Sequence, residues 1–226
     1  MTSTLQTPVP TTTVEPTLRK VATEAVGTFF LVFTIGAAVR SGSPLAPLAI
    51  GAALMAMIYA GGHVSGAHYN PAVTMAAWVR GRIGRHDAVR YWLAQAFGGV
   101  LAAGVISIVT TPGQTHPVTP TGHGLMAALI VEALFTFALC YVVLNVATSK
   151  DHPNNSFYGL AIGFTVLAGA VAVGSISGAA FNPAVVLGGA LMGLFGWATL
   201  PVYLVAQLVA GAVAGLAFRA LNRDDK

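Results

Sequence analysis

Apolar positions in this chain are gathered into six long runs, near residues 21–39, 45–62, 91–110, 124–147, 157–174 and 199–218, with polar residues confined mostly between them. Each run is close to the roughly 20 residues a helix needs to cross a hydrocarbon core of about 30 Å. No sustained period-two alternation, the mark of a membrane barrel, is present. The runs therefore predict an all-α membrane protein with six transmembrane helices. Residues 1–18 are rich in Thr and Pro and lack an apolar core. They read as a disordered N-terminal tail rather than a cleavable signal. One domain is expected over 19–220, followed by a C-terminal tail at 221–226.

Composition strengthens this picture. Hydrophobic residues make up 55% of the chain and charged residues 8%, against about a quarter charged in soluble domains. The formal net charge is +4, but its placement explains it without nucleic acid. Arg19, Lys20, Arg80, Arg82, Arg85, Arg90, Lys150, Arg219, Arg223 and Lys226 fall on one side of a six-span topology, and only Arg40 on the other. The positive-inside tendency puts both termini in the cytoplasm. Arg in excess of Lys, with abundant Ala and Gly, fits a high-GC bacterium and hence its inner membrane. The single cysteine, Cys140, has no intrachain partner for a disulfide and reads as a small core residue.

The polar interruptions repeat. "SGAHYNPAVT" at 65–74 returns as "SGAAFNPAVV" at 177–186. Leu48 and Leu160, Asn70 and Asn182, and Gln95 and Gln207 are each 112 residues apart, and Glu24 and Glu132 are 108 apart. The halves, about 19–110 and 124–220, are copies. With three spans each, the second enters the bilayer upside down. Asn is a good helix N-cap and Pro suits the first helical position, so a short helix should start at each Asn-Pro. Ten residues give about 15 Å, half the core. Two such half-helices, entering from opposite sides, meet at the midplane. Irregular backbone at that depth is tolerated only where it is buried in protein or lines a water-filled passage.

These residues, with "GTFFLVF" shortly after Glu24, resemble the major intrinsic proteins, the aquaporins and aquaglyceroporins, over about residues 19–219. The resemblance implies six tilted helices plus two re-entrant half-helices per subunit, a homotetramer in a lipid bilayer, and one pore per subunit for water or small neutral solutes. Asn70, Pro71, Ala72, Asn182, Pro183 and Ala184 would form the pore centre. Carbonyls near Gly66, Ala67 and His68, and near Gly178, Ala179 and Ala180, would supply acceptors. Glu24 and Glu132 would brace the loops; the sharper alternative is coupling-ion binding, which a buried carboxylate invites. By alignment the selectivity filter is Ile50, Ala170, Ala179 and Val185. The family usually carries Arg where Val185 stands, and typical glycerol facilitators carry Asp where Val186 stands. The filter should be wider and more apolar than in either standard branch, and the solute stays open among water, glycerol, urea, ammonia and neutral metalloid acids. An ion-coupled secondary transporter is the alternative class. An enzyme is not expected: no nucleophile–base pair appears, and His63 and His68 lack further ligands for a metal. No cofactor is implied. Gly98, Gly99, Gly104, Gly211 and Gly215 should permit close helix packing. Tyr91, Trp92, Trp197 and Tyr203 should sit at the membrane interface.

Overall fold

The computed structural model describes residues 16–111 and 116–225. Six long helices, α1 (Pro16–Arg40), α2 (Ala46–Ser65), α4 (Arg85–Val109), α5 (Gly122–Thr148), α6 (Tyr158–Ser177) and α8 (Thr199–Leu221), are each long and apolar enough to span a bilayer. Two short ones, α3 (Pro71–Arg80) and α7 (Pro183–Leu191), follow α2 and α6. Leu93, Phe97, Val171, Val205 and Val209 point outward and are more than half exposed. In water this would be an aggregating surface; against lipid tails it is a matched one.

The pairing follows the repeat. α1 packs along α4 and α5 along α8, while α2 and α6 cross between the halves. That crossing is tight because it is glycine on glycine: a Cβ on Gly51 would stand 2.8 Å from the Gly163 carbonyl oxygen, and one on Gly163 would stand 2.5 Å from that of Gly51. The buried glycines Gly98, Gly99, Gly211 and Gly215 likewise face backbone oxygens of neighbouring helices. Gly104 does not. It is exposed, and none of the described residues comes within 4 Å of its would-be Cβ, because it lies on the outward side of α4.

The ends differ from the sequence expectation. α1 begins at Pro16, inside the stretch read as tail, because proline is well suited to a first helical turn. Residues 1–15 lie outside the described residues. The C-terminal segment is docked rather than free. Asp225 is buried and accepts from Arg80 at 2.6 Å, from Arg82 at 3.4 Å and from the Lys150 backbone N–H at 2.9 Å. The Arg80 guanidinium lies 4.3 Å from the centre of the Phe218 ring. Burial pushes the Asp225 carboxyl up, but the Lys150 N–H and the Arg80 guanidinium outweigh it and hold the group below its ordinary range.

Candidate functional site

Both half-helices start by the same local chemistry. Asn70 and Asn182 hold extended backbone (φ −155° and −156°), and each side-chain oxygen accepts from the N–H two residues on, at 2.8 Å from Ala72 and 2.9 Å from Ala184. Pro71 and Pro183 occupy the next position, where a missing N–H leaves nothing unpaired. The backbone is closely packed at these starts. Gly211 of α8 abuts the Ala72 carbonyl and Gly99 of α4 the Ala184 carbonyl, so each half-helix start is pressed against a long helix.

The asparagines also reach across the repeat. Asn70 Nδ2 donates to the Phe181 carbonyl at 2.8 Å, and Asn182 Nδ2 donates to the Tyr69 carbonyl at 2.9 Å. Each loop is thus fastened to the residue that precedes the other's asparagine. One N–H of each amide is used in this way, and an amide carries two.

The loops leading to these points carry backbone strain. Ala67, Tyr69, Ala179 and Phe181 have φ between 47° and 51°, at about 1–2 kcal/mol each for a residue with a Cβ. Gly66 and Gly178, the caps of α2 and α6, also sit at positive φ (85° and 82°), where only glycine is unstrained. Two fully buried carboxylates hold the strain. Glu24 accepts from Ser65 Oγ (2.7 Å), His68 N (2.9 Å), Tyr69 N (2.7 Å) and Gln95 Nε2 (2.8 Å). Glu132 accepts from Ser177 Oγ (2.7 Å), Ala180 N (2.9 Å), Phe181 N (2.8 Å) and Gln207 Nε2 (2.8 Å). Hydrogen bonds to a charged group contribute about 1.5–3 kcal/mol each, enough to outweigh the strain.

Carbonyl direction follows from these bonds. A trans peptide sets the C=O of one residue antiparallel to the N–H of the next. The N–H groups of Ala67, His68 and Tyr69 point at Ser65 or Glu24, so the carbonyls of Gly66, Ala67 and His68 point away from them. The same holds for Gly178, Ala179 and Ala180, whose following N–H groups point at Ser177 or Glu132.

Between the two loops runs a cavity of about 360 Å³. Its wall includes Ala67, His68, Gly178, Ala179 and Ala180, both asparagines, and Ile50, Ala170 and Val185. Gly66 is exposed outside that wall. Val185 is the repeat counterpart of Val73, which also lines the cavity. Among the described residues the only polar side chains on the wall are His68, Asn70, His116 and Asn182. His68 is held through Nδ1 by Thr74 Oγ1 at 3.0 Å, and Gln95 donates to the same hydroxyl at 3.0 Å. Valine and alanine replace Thr74 and His68 in the second half (Val186, Ala180). The second loop therefore presents fewer polar side chains to the cavity than the first, and on that side the polar groups are Asn182 and His116. His63 stands exposed at the end of α2 and does not join the wall.

A model of the family described as "Major intrinsic protein" matches residues 11–218. The chain belongs to that family. This major intrinsic protein is 39% identical to Aquaporin NIP1-1 of Zea mays over 210 residues, covering 88% of this chain and 73% of the relative. It is 39% identical to Glycerol uptake facilitator protein-like 6 of Lactiplantibacillus plantarum over 220 residues, covering 92% of this chain and 100% of the relative. Its fold matches the aquaglyceroporin from Plasmodium falciparum with a TM-score of 0.74 at 23% identity, over 89% of this chain and 95% of that one.

Several residues of this major intrinsic protein escaped the sequence reading. Tyr91 and Tyr203 were expected at the membrane interface, yet they are buried, and their hydroxyls donate to the Ser65 and Ser177 carbonyls at 2.7 and 2.9 Å. They too are 112 residues apart, which was the available signal. Trp92 is half-buried and donates to the Pro71 carbonyl at 3.0 Å, whereas Trp197 is exposed. His116 and Val118, from the segment joining the halves, reach the cavity wall. Val118 is fixed there by backbone bonds to Leu194 (2.9 Å) and Gly196 (3.1 Å). An uncharged loop gave no hint of this placement.

Proposed function

We infer that the chain is a passive membrane channel, conducting water and small uncharged solutes through the cavity between its two half-helices. The observation that carries this is the reciprocal pair of bonds, Asn70 to Phe181 and Asn182 to Tyr69, which brings two helix N-termini together beside one cavity. Each N-terminus contributes roughly half a positive charge, so cations are opposed at the centre. The remaining amide N–H groups suit a passing water or hydroxyl oxygen, and the aligned carbonyls on either side suit its hydrogens. A water file whose orientation reverses at the asparagines does not relay protons along it. The family's members are channels, not enzymes. The full set of donors on Glu24 and Glu132 supports a bracing role for both rather than coupling-ion binding.

Ile50, Ala170, Ala179 and Val185 form the selectivity ring in this reading. The ring lacks a fixed cation, so it admits neutral solutes of glycerol or urea size, with ammonia and undissociated metalloid acids in the same class. It gives anions nothing in exchange for their hydration. The protein is a multi-pass membrane protein. Its basic face is cytoplasmic in this reading, with both termini on that side, and the subunits form a homotetramer in a bacterial inner membrane. The test is stopped-flow light scattering on proteoliposomes with water, glycerol and urea. Flux should be independent of proton and sodium gradients; uptake that collapses when those gradients are removed would overturn the passive mechanism.

A further inference from the structure

Arg40 is the one basic residue that the charge pattern leaves on the face opposite the others, and nothing in the conduction path uses it. It is the last residue of α1 and lies where three helix C-termini converge. Nη1 donates to the Thr110 hydroxyl at 2.8 Å and to the Ile106 carbonyl at 3.4 Å, both at the end of α4. Nη2 donates to the Met192 carbonyl at 2.8 Å, and Met192 caps α7. Met192 is packed against α1 as well: a Cβ on Gly36 would meet its sulfur at 2.5 Å. The last carbonyls of a helix have no partner within it and carry the negative end of its dipole. One guanidinium, with five donors in a rigid fork, reaches both ends at once: it takes the open Met192 carbonyl past α7 and, on α4, the Thr110 hydroxyl, whose own residue already caps the Ile106 carbonyl.

The other half has the same joint, closed from the opposite direction. There Arg82, just past the end of α3, donates to the carbonyl of Thr148 at the end of α5 at 2.9 Å. In the repeat, α5 corresponds to α1 and α3 to α7. Each half-helix is thus stapled by an arginine, at the end remote from its asparagine, to the long first helix of the opposite repeat. In α7 that staple lies seven residues beyond Val185, on a helix of only nine residues. A shift at one end of so short a rod is felt along it.

We propose that Arg40 is a positioning residue that fixes the outer end of α7 and thereby sets the width of the ring at Val185. The inference rests on the reading of Val185 as a ring residue. It gives this chain, whose ring has no arginine of its own, a cation that governs selectivity from behind the wall.

The test compares Arg40→Met, Arg40→Lys and Thr110→Val with the parent, by glycerol and water flux in proteoliposomes and by amide hydrogen exchange in the purified protein. Arg40→Met should speed exchange in the last turn of α7 by about tenfold or more, the loss of one charge-assisted bond. It should raise the glycerol-to-water flux ratio by about 2- to 30-fold, the range for changes that act through a packed neighbour. Arg40→Lys, a single-point donor that can serve only some of these acceptors, should move both readouts the same way by less. That variant decides the matter if Arg40→Met does not accumulate. Thr110→Val removes an equally short bond but leaves Met192 held, so the flux ratio should not change. An unchanged ratio in both Arg40 variants, a ratio moved equally by Thr110→Val, or unaltered exchange in α7 overturns the proposal. Val185→Arg separates the two ideas: if it shifts the ratio and the Arg40 variants do not, the ring reading stands and the role of Arg40 falls. If none shifts it, the ring reading falls too.

Discussion

Glu132→Gln removes a charge and changes almost no volume, so its effect can be worked from the bonds the carboxylate makes. Four donors converge on Glu132, and an amide offers one oxygen and one NH2. If the NH2 replaces Oε2, it faces Phe181 N and Gln207 Nε2. Gln207 can then turn its own amide over, because its buried Oε1 has no partner among the described residues and becomes the acceptor the new NH2 needs. Phe181 N–H has no such remedy. One orphaned buried donor costs about 1–3 kcal/mol, and the bonds that remain lose their charge assistance. Relief from burying a carboxylate offsets part of this. A net cost of about 1–3 kcal/mol falls on a segment already strained at Ala179 and Phe181 and corresponds to roughly 5- to 150-fold in its opening equilibrium. Hydrogen exchange of the peptide around 178–182 should accelerate by that factor in the native protein, while α8 keeps its protection. Water flux per molecule should fall with it, since the Phe181 carbonyl holds Asn70. Unchanged protection in 178–182 would refute the bracing role. Gradient-driven uptake in the parent that this substitution abolishes would replace it with ion coupling.

Three further outcomes are expected. Val185→Arg should lower glycerol flux several-fold more than water flux, measured at equal protein density in vesicles; an unchanged ratio would mean that position 185 does not bound the path. Gly211→Ala drives a methyl into the Ala72 carbonyl and should destabilise by about 1–3 kcal/mol, whereas Gly104→Ala, inside α4 with open space around it, should keep or slightly raise the thermal midpoint. Asp225→Ala leaves the Arg80 guanidinium, 1% exposed, without its counter-ion and should cost about 3 kcal/mol, the low end for a broken buried pair because the Phe218 ring still faces it. Since the Asp225 carboxyl is held below its ordinary range, the stability it contributes should persist as pH falls to about 3.9 and vanish only below it; the gap in thermal midpoint between parent and variant, followed against pH, measures this.

The long helices and both half-helix starts were legible because each rests on a local rule: apolar length for a span, Asn-Pro for a capped start. The repeat supplied the global geometry, since a constant offset of 112 residues with three spans per half leaves little freedom. What stayed hidden depends on contacts between elements far apart in the chain. Tyr91 looked like an interface aromatic because its sequence position near a helix start says nothing of the Ser65 carbonyl it meets. His116 and Val118 come from a loop whose path is set by pairing with Leu194 and Gly196. Asp225 sits in a short charged stretch that sequence rules treat as solvated, and only the fold reveals Arg80 beside it.

The exchange of bonds at the centre also bears on how the protein is made. When the first three spans have left the ribosome, the Tyr69 carbonyl and the amide donor of Asn70 that will reach Phe181 have no partners, because both are completed by residues around 182. Those residues emerge 112 positions after their counterparts, a delay of roughly 6–22 s at ordinary rates of synthesis. During that interval the first half sits in the membrane with a strained, half-paired loop. It needs water, lipid headgroups or an insertion factor to satisfy that loop until its inverted copy arrives. Closure of this centre is therefore a late event, and a chain truncated after its third span would keep its loop half-paired.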